Sequence, residues 1–210
     1  MPDRRPAAYA CEDDARSALL AARAAVARDD AAASGTACLS MRWHRSGGPG
    51  LLVAAGPARV AGGDGVAWFS LQDGRPGSAQ AADESRLHRE LYLRRTDVEA
   101  IVRCRPTFAT ALACSKLGST EGIPAFHPDV ALAAGGAIAT ADCGLPGTAL
   151  QSGPVLAALR GHWACLLAGW GLLACGASLP AAAARAAEVE ALARLWWHVL
   201  QVEPRLGRER

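Results

Sequence analysis

The sequence predicts a single α/β domain, and three observations support this prediction. Short apolar runs typical of strands interleave with segments whose apolar residues recur at helical spacing. The chain has 210 residues, 51% of them hydrophobic, which suffices for one full core but is cramped for two. No repeat or linker divides it. We therefore predict one domain over residues 1–210, with a core at about 13–202 and tails at 1–12 and 203–210.

The first part of the chain predicts one helix followed by three strands. Residues 13–28 place leucine and alanine at helical spacing with charges on the other side, which indicates an amphipathic helix. Apolar segments bounded by glycine predict strands at 38–43, 51–55 and 65–71. The Gly-Gly-Pro-Gly sequence at 47–50 predicts the turn between the first two strands. The polar and small residues at 72–82 predict a loop.

The remainder predicts helices and strands in alternation. Proline begins two of the predicted helices, where its fixed backbone angle suits the first turn. The helices are expected at 84–95, 106–117, 149–159 and 180–202. The strands are expected at 98–103, 137–140, 164–168 and 172–175. Residues 163–184 carry no charge, but their glycines and Pro180 favour two buried strands and a helix start over a membrane span.

Composition argues against several partners. The 22 basic and 20 acidic residues give a net charge of +2, and the basic residues are scattered, so we expect no nucleic-acid partner. We expect no membrane partner either. Seven cysteines, an odd number without CxxC spacing, indicate a reduced, cytoplasmic protein. No dinucleotide or P-loop glycine motif is present, and we predict no cofactor.

Two arginines end the apolar strand at 98–103. Arg103 and Arg105 are two residues apart, so their side chains should leave one face of the strand while Cys104 points away. A guanidinium group stays protonated and offers donors but no lone pair to a cation. Two such groups suit a carboxylate or an enolate, which they can bind through charged hydrogen bonds.

Three segments together resemble the class II aldolase/adducin family. They are Ala-Ile-Val-Arg-Cys-Arg-Pro-Thr-Phe-Ala-Thr-Ala-Leu-Ala at 100–113, Glu-Ser-Arg-Leu-His-Arg-Glu-Leu-Tyr at 84–92, and Leu-Leu-Ala-Gly-Trp-Gly-Leu-Leu-Ala-Cys at 166–175. The resemblance spans about residues 15–202. It implies a three-layer α/β fold with a central, mainly antiparallel sheet flanked by helices. It also implies a homo-oligomer, with a tetramer as the usual form in relatives.

The resemblance places unusual residues at the family's reaction centre. The three histidines that hold the family's metal ion fall on Arg103, Arg105 and Trp170, so we predict no metal. The family's phosphate-binding turns fall on residues 37–40, 54–56 and 82–84, whose changes imply that phosphate binding is lost. A tyrosine that donates a proton in the sugar-phosphate aldolases falls on Pro128. Glu84, a general acid/base in the aldolases, remains.

These residues predict a metal-independent, repurposed aldolase-like enzyme. Its substrate would be a small anionic carbonyl or carboxylate metabolite, and its chemistry that of a lyase, decarboxylase or isomerase with a stabilised enolate, in bacterial specialised metabolism. The predicted catalytic residues are Glu84, Arg103 and Arg105; the predicted substrate-binding residues are Trp170, His88 and His127.

Two alternatives stay open. One is a non-catalytic pseudo-aldolase that serves as a binding or scaffold subunit, in which Glu84 simply pairs with Arg103 or Arg105, since buried charges require partners. The other is a relocated metal site built from Glu84, His88 and His127.

Overall fold

A computed structural model describes residues 9–28, 37–46, 48–55, 65–72, 82–144 and 152–206, and describes side chains for all of these except 82–84 and 203–206. The helices are α1 (Glu12–Ala27), α2 (Ala82–Arg94), α3 (Thr107–Cys114), α4 (Lys116–Glu121), α5 (Pro128–Ala134), α6 (Ser152–Ala158) and α7 (Leu179–Leu206). The strands are β1 (Cys38–Arg45), β2 (Gly48–Ala54), β3 (Val66–Ser70), β4 (Ala100–Cys104), β5 (Thr140–Ala141), β6 (Ala164–Leu167) and β7 (Gly171–Gly176).

The seven strands form one sheet in the order β3-β2-β1-β4-β7-β6-β5. Every neighbouring pair is antiparallel except β5 and β6, which are parallel. The prediction of a mainly antiparallel sheet is therefore confirmed. β4 lies in the middle, and both its edges are paired, so side chains at its end project only from the two faces of the sheet.

Helices cover both faces of the sheet and complete a three-layer domain. On one face, α1, α3 and α7 pack against a core that includes Val102 and Cys104. On the other face, α2 and α6 pack against a core that includes Ile101 and Leu173. The uncharged segment at 163–184 forms β6, β7 and the start of α7, as predicted. None of the helices that the structure describes is long and apolar enough to cross a bilayer.

The helix predicted at 106–117 is wrong in one respect, because Ser115 interrupts it. Its hydroxyl donates to the carbonyl oxygen of Leu112 (2.8 Å) and accepts from the amide of Gly118 (2.9 Å). Serine thereby offers the backbone an alternative to helical hydrogen bonds. The segment divides into α3 and α4, and Ser115 is the N-cap of α4.

The turn predicted at 47–50 is also shorter than expected. Gly48, Pro49 and Gly50 already belong to β2 and pair with Arg45, His44 and Trp43. A side chain on Gly50 would meet the Trp68 ring at 2.5 Å, so glycine is needed for that ring to lie across the strand. The strand predicted at 137–140 is displaced too: β5 begins at Thr140, and Ile138 forms only an isolated bridge with Ile123. The predicted loop at 72–82 lies largely outside the described residues.

Candidate functional site

Arg103 and Arg105 lie at the end of the central strand, on the face covered by α2. In the sheet register, Arg103 pairs with Cys38 of β1 and Leu173 of β7. Cys104 belongs to the core of the opposite face. Strand alternation therefore separates Cys104 from the two arginines, as the sequence predicts. The Arg103 side chain is buried, with 3% of its surface exposed, and Arg105 is half-buried.

A tight turn between β6 and β7 brings Trp170 to the end of β4. The Trp170 amide donates to the carbonyl oxygen of Leu167, and the flanking Gly169 and Gly171 have positive φ angles of 71° and 132°. A Cβ atom on Gly171 would lie only 2.6 Å from the Cys104 carbonyl oxygen. Glycine at position 171 thus permits both the backbone conformation and the close approach of the turn.

The Trp170 ring contacts both arginines. Its Nε1 donates to the carbonyl oxygen of Gly144 (3.0 Å), which fixes the orientation of the indole. The Cζ atoms of Arg103 and Arg105 lie 5.6 and 5.7 Å from the ring centroid, within the range of cation–π contacts. The structure therefore brings three of the six predicted site residues together, and places two positive charges at one aromatic ring.

A second pair of arginines around a tryptophan shows what a structural version of this arrangement looks like. Arg95 and Arg185 lie over the Trp163 ring at 5.3 and 5.0 Å. Both donate to backbone carbonyl oxygens, and Arg95 also pairs with Asp97. By contrast, within the described part of the chain Arg105 makes no hydrogen bond or ion pair, and its Nε is buried without an acceptor. Unlike the arginines around Trp163, Arg105 is therefore not held by a described backbone carbonyl oxygen or carboxylate.

His88 lies on α2, on the same side of the sheet as the two arginines, and is fully buried. Its Nδ1 lies 2.7 Å from the Ser40 hydroxyl oxygen, which lies 2.8 Å from the Tyr92 hydroxyl. Its Nε2 is buried and has no hydrogen-bond partner among the described residues. Burial and, secondarily, the positive charge of Arg103 lower the pKa of His88 to about 3, so the imidazole is neutral near neutral pH.

The other two predicted residues are not brought into this group by any described contact. Glu84 lies on α2 one turn before His88, but its side chain is outside the described part of the structure. His127 is the exposed N-cap of α5, where its Nδ1 accepts from the amide of Asp129 (3.3 Å). Its neighbour Phe126 packs against Trp196 of α7. The roles of Glu84 and His127 remain predictions.

The chemistry of the converging side chains does not suit a metal ion. Guanidinium groups and an indole N–H are donors without a lone pair for a cation. No group of three or more His, Cys, Asp or Glu side chains that could hold a metal ion occurs among the residues with described side chains. The arrangement suits an anion instead, because two cationic groups and a polarisable ring face the same space.

Sequence reasoning missed Ser40 and Tyr92 as partners of His88. Tyr92 was detectable, because residues 84, 88 and 92 recur at intervals of four and therefore share a helix face. Ser40 carried no comparable signal. Its position beside α2 depends on the pairing of β1 with β4, which local spacing does not specify.

The fold and this arrangement define an α/β protein with a mainly antiparallel sheet and two arginines against a tryptophan at the end of the central strand. The family model for the class II aldolase and adducin N-terminal domain matches residues 60–197, well over half of the chain. The chain therefore belongs to the class II aldolase and adducin family.

Individual relatives agree with this assignment. The chain is 43% identical over 131 residues to 5-methylthioribulose-1-phosphate/5-deoxyribulose-1-phosphate aldolase from Rhodospirillum rubrum, covering 62% of this chain and 58% of that protein. It is 35% identical over 121 residues to L-fuculose phosphate aldolase from Escherichia coli, covering 58% and 54%. The chain thus spans little more than half the length of these curated relatives. A solved L-fuculose 1-phosphate aldolase shares the fold, with a TM-score of 0.74, 23% identity and coverage of 94% and 91%.

Proposed function

We propose that this protein is a repurposed aldolase-like enzyme that binds a small anionic carbonyl or carboxylate metabolite without a metal ion. The observation that carries the proposal is the contact of Arg103 and Arg105 with the same Trp170 ring, with Arg105 donors unused among the described residues. Two guanidinium groups at one site offer the positive charge that a developing oxyanion requires. Trp170 adds an apolar wall that a flat substrate can stack against.

The proposed chemistry passes through an enolate. A bond at the carbon next to the substrate carbonyl breaks heterolytically, either C–C, C–H or C–carboxylate. Its electron pair moves onto the carbonyl oxygen, whose negative charge Arg103 and Arg105 stabilise. Glu84 moves the proton in each case. It accepts the proton in C–H cleavage, and it accepts the proton of the neighbouring hydroxyl group when C–C cleavage releases an aldehyde. Protonated Glu84 then returns a proton to the enolate carbon, as it also does after loss of carbon dioxide. Lyase, decarboxylase and isomerase reactions all share this intermediate.

The names of the relatives support a lyase activity, and the residues at the family's metal and phosphate positions suggest that this chain takes a different substrate. Both are aldolases, and both act on sugar phosphates by name. By the family resemblance, Arg103, Arg105 and Trp170 occupy the positions of the family's metal-binding histidines, and the two arginines would repel a cation there. By the same resemblance, Ala54 and Asp83 lie in the family's phosphate-binding turns. Ala54 lacks a hydroxyl donor, and the Asp83 carboxylate would repel a phosphate. We therefore propose that the substrate is an anion without a phosphate group. We also propose that the enzyme acts in the cytoplasm, in a bacterial biosynthetic pathway.

The second candidate function is a non-catalytic pseudo-aldolase that serves as a binding or scaffold subunit. The burial of Arg103 favours it, because a buried guanidinium pairs well with a carboxylate such as Glu84 in a purely structural role.

For either function we propose a homo-oligomer, a tetramer by family resemblance, in which a neighbouring subunit completes the site.

Isothermal titration with oxalate tests the anion site, because oxalate is a planar mimic of an enolate carboxylate. We expect binding to the wild type, and roughly hundredfold weaker binding to Arg105→Ala, because a charged hydrogen bond is lost. Arg86→Ala is the matched control, since Arg86 is an exposed arginine that, among the described residues, pairs with Glu90 one turn away. Absence of oxalate binding to the wild type, or equal losses in both variants, would refute the anion site.

Catalysis is tested separately by solvent exchange and decarboxylation. Pyruvate, 2-oxobutyrate and oxaloacetate are incubated with the protein in D2O, and proton NMR follows deuterium incorporation or loss of carbon dioxide. We expect one of these reactions to occur, and to be abolished in Glu84→Gln with the fold intact. Oxalate binding without any turnover would instead support the binding subunit.

A further inference from the structure

The hydrogen bonds around His88 determine which of its nitrogens carries the proton. Ser40 is fully buried and lies between His88 Nδ1 and the Tyr92 hydroxyl, so its single O–H can donate to only one of them. If Tyr92 donates to Ser40 and Ser40 donates to Nδ1, every hydroxyl proton is used. The reverse direction leaves the buried Tyr92 proton without an acceptor among the described side chains, which costs free energy. The first direction is therefore favoured.

This direction fixes the tautomer of the imidazole. Burial raises the pKa of Tyr92, which keeps its hydroxyl protonated and able to donate. With Nδ1 occupied as an acceptor, the neutral ring must carry its proton on Nε2. That Nε2 is buried and has no acceptor among the residues with described side chains. Because buried N–H groups are normally hydrogen-bonded, we expect the acceptor of this N–H to be a group other than the described side chains.

The sheet register places this N–H beside the arginines. Ser40 pairs with Ile101, and Cys38, two residues earlier on the same strand, pairs with Arg103. His88, bonded to Ser40, therefore lies above the sheet one row from Arg103, on the same face. The charge of Arg103 is close enough to affect the imidazole. An anion held by the arginines would lie near an imidazole N–H that has no other described acceptor.

We propose that Tyr92, Ser40 and His88 form a directed hydrogen-bond chain that holds His88 as the Nε2–H tautomer, and that this N–H is a third donor to the substrate oxyanion beside Arg103 and Arg105. His88 is then a binding residue, and Ser40 and Tyr92 are positioning residues that act through it. The inference rests on the proposed anion site, but its tautomer is measurable without any ligand.

The tautomer is tested by 15N NMR of protein labelled at histidine, with the His88 signals assigned by their loss in His88→Gln. We expect the pattern of a protonated Nε2 and an unprotonated Nδ1 in the wild type. Tyr92→Phe and Ser40→Ala each break the chain, and both should shift His88 toward the other tautomer or a mixture. A wild-type Nδ1–H tautomer, or an unchanged tautomer in both variants, overturns the chain.

The donor role is tested by oxalate titration of the same proteins, with circular dichroism to confirm folding. We expect oxalate to shift the wild-type Nε2 resonance. We expect His88→Leu to bind it roughly tenfold to hundredfold more weakly, because one hydrogen bond to a charged group is lost. His88→Gln keeps an amide donor and should recover part of the affinity.

The outcomes separate this inference from the proposed function. If Arg105→Ala abolishes oxalate binding while His88→Leu, Ser40→Ala and Tyr92→Phe bind like the wild type, the anion site stands and the third donor is wrong. If the wild type does not bind oxalate, the anion site and the donor role fail together, and the NMR result alone decides whether the hydrogen-bond chain exists.

Discussion

The Arg105 guanidinium carbon lies 5.7 Å from the centroid of the Trp170 ring, although the two residues come from different strand ends of the sheet. The contact depends on the turn between β6 and β7, which closes on the end of β4 because Gly171 has no side chain. The position of the Trp170 ring beside the two arginines therefore depends on the glycine at position 171.

Replacing this glycine should destabilise the protein. In Gly171→Ala, the new Cβ would meet the Cys104 carbonyl oxygen at 2.6 Å, in a backbone conformation with φ of 132°. We expect unfolding by urea to show a loss of about 2 kcal/mol. Gly153→Ala on α6 is the control, because no described atom outside its own helix and chain neighbours lies within 4 Å of the added methyl group. A Gly171→Ala protein as stable as the wild type would contradict the role of the turn.

The stability of the protein should fall as the pH is lowered below neutrality, and His88 should cause part of the fall. The unfolded chain protonates this histidine near its ordinary pKa of 6.5, whereas the folded protein protonates it only near 3. The contribution of His88 to the free energy of unfolding is therefore complete above pH 6.5 and is lost as the pH falls from 6.5 toward 3. Between pH 6.5 and pH 5 we expect a loss of about 2 kcal/mol from this residue.

Urea unfolding of the wild type and His88→Gln at about pH 7 and pH 5 measures this effect. The carboxylates with lowered pKa values, Glu12, Glu90 and Asp97, titrate mostly below this interval. Leu87→Val, a buried change on the same helix, should lower stability equally at both pH values. If His88→Gln keeps the pH dependence of the wild type, the buried neutral imidazole is not its source.

Glu190 should stabilise the corner that follows Arg105. From α7, its two carboxylate oxygens accept hydrogen bonds from the Phe108 and Ala109 amides at the start of α3, each at 2.8 Å. These are charged hydrogen bonds at a helix N-terminus, where negative charge is favoured. Glu190→Gln should therefore cost about 1–3 kcal/mol of unfolding free energy, because an amide can accept with only one of its two atoms.

The matched control for this change is Glu188→Gln, an exposed position on the same helix. We expect its unfolding free energy to stay within about 0.5 kcal/mol of the wild type. Equal stability of the two variants would show that the contact with α3 contributes nothing measurable.

Purified protein should contain no stoichiometric metal, because Arg103, Arg105 and Trp170 repel or cannot ligate a cation. Elemental analysis by mass spectrometry measures this directly, and dialysis against EDTA should leave the melting temperature unchanged. The triple variant Arg103→His/Arg105→His/Trp170→His is the positive control and should gain affinity for Zn²⁺. One equivalent of zinc, iron or manganese in the wild type would overturn the metal-free proposal.

Local spacing predicted most elements of the fold correctly. Each of the predicted helices and strands within the described residues has a counterpart. The break in the helix predicted at 106–117 occurs where the Ser115 side chain competes with the backbone. Helical and strand periodicities record which face of an element is buried, and that information is local. A serine that caps its own helix is a local exception that periodicity does not reveal.

The candidate site was predicted in part for the same reason. Alternation along a strand was enough to place Arg103 and Arg105 on one face and Cys104 on the other. Trp170 was assigned through family resemblance, and its contact with both arginines required the turn and the register of β7 against β4. The contact of the Glu190 carboxylate, on α7, with the start of α3 had no sequence signal, because its partners are backbone amides rather than side chains.

The sequence by itself determined the α/β class, the family and the placement of Arg103 and Arg105 on one face of a strand end. These follow from residue types and short spacings, which the chain carries wherever it folds. Only the tertiary structure decided that Trp170 contacts both arginines and that Ser40 joins Tyr92 to His88. Such contacts depend on strand register and helix packing, where a shift by one residue turns every side chain to the opposite face.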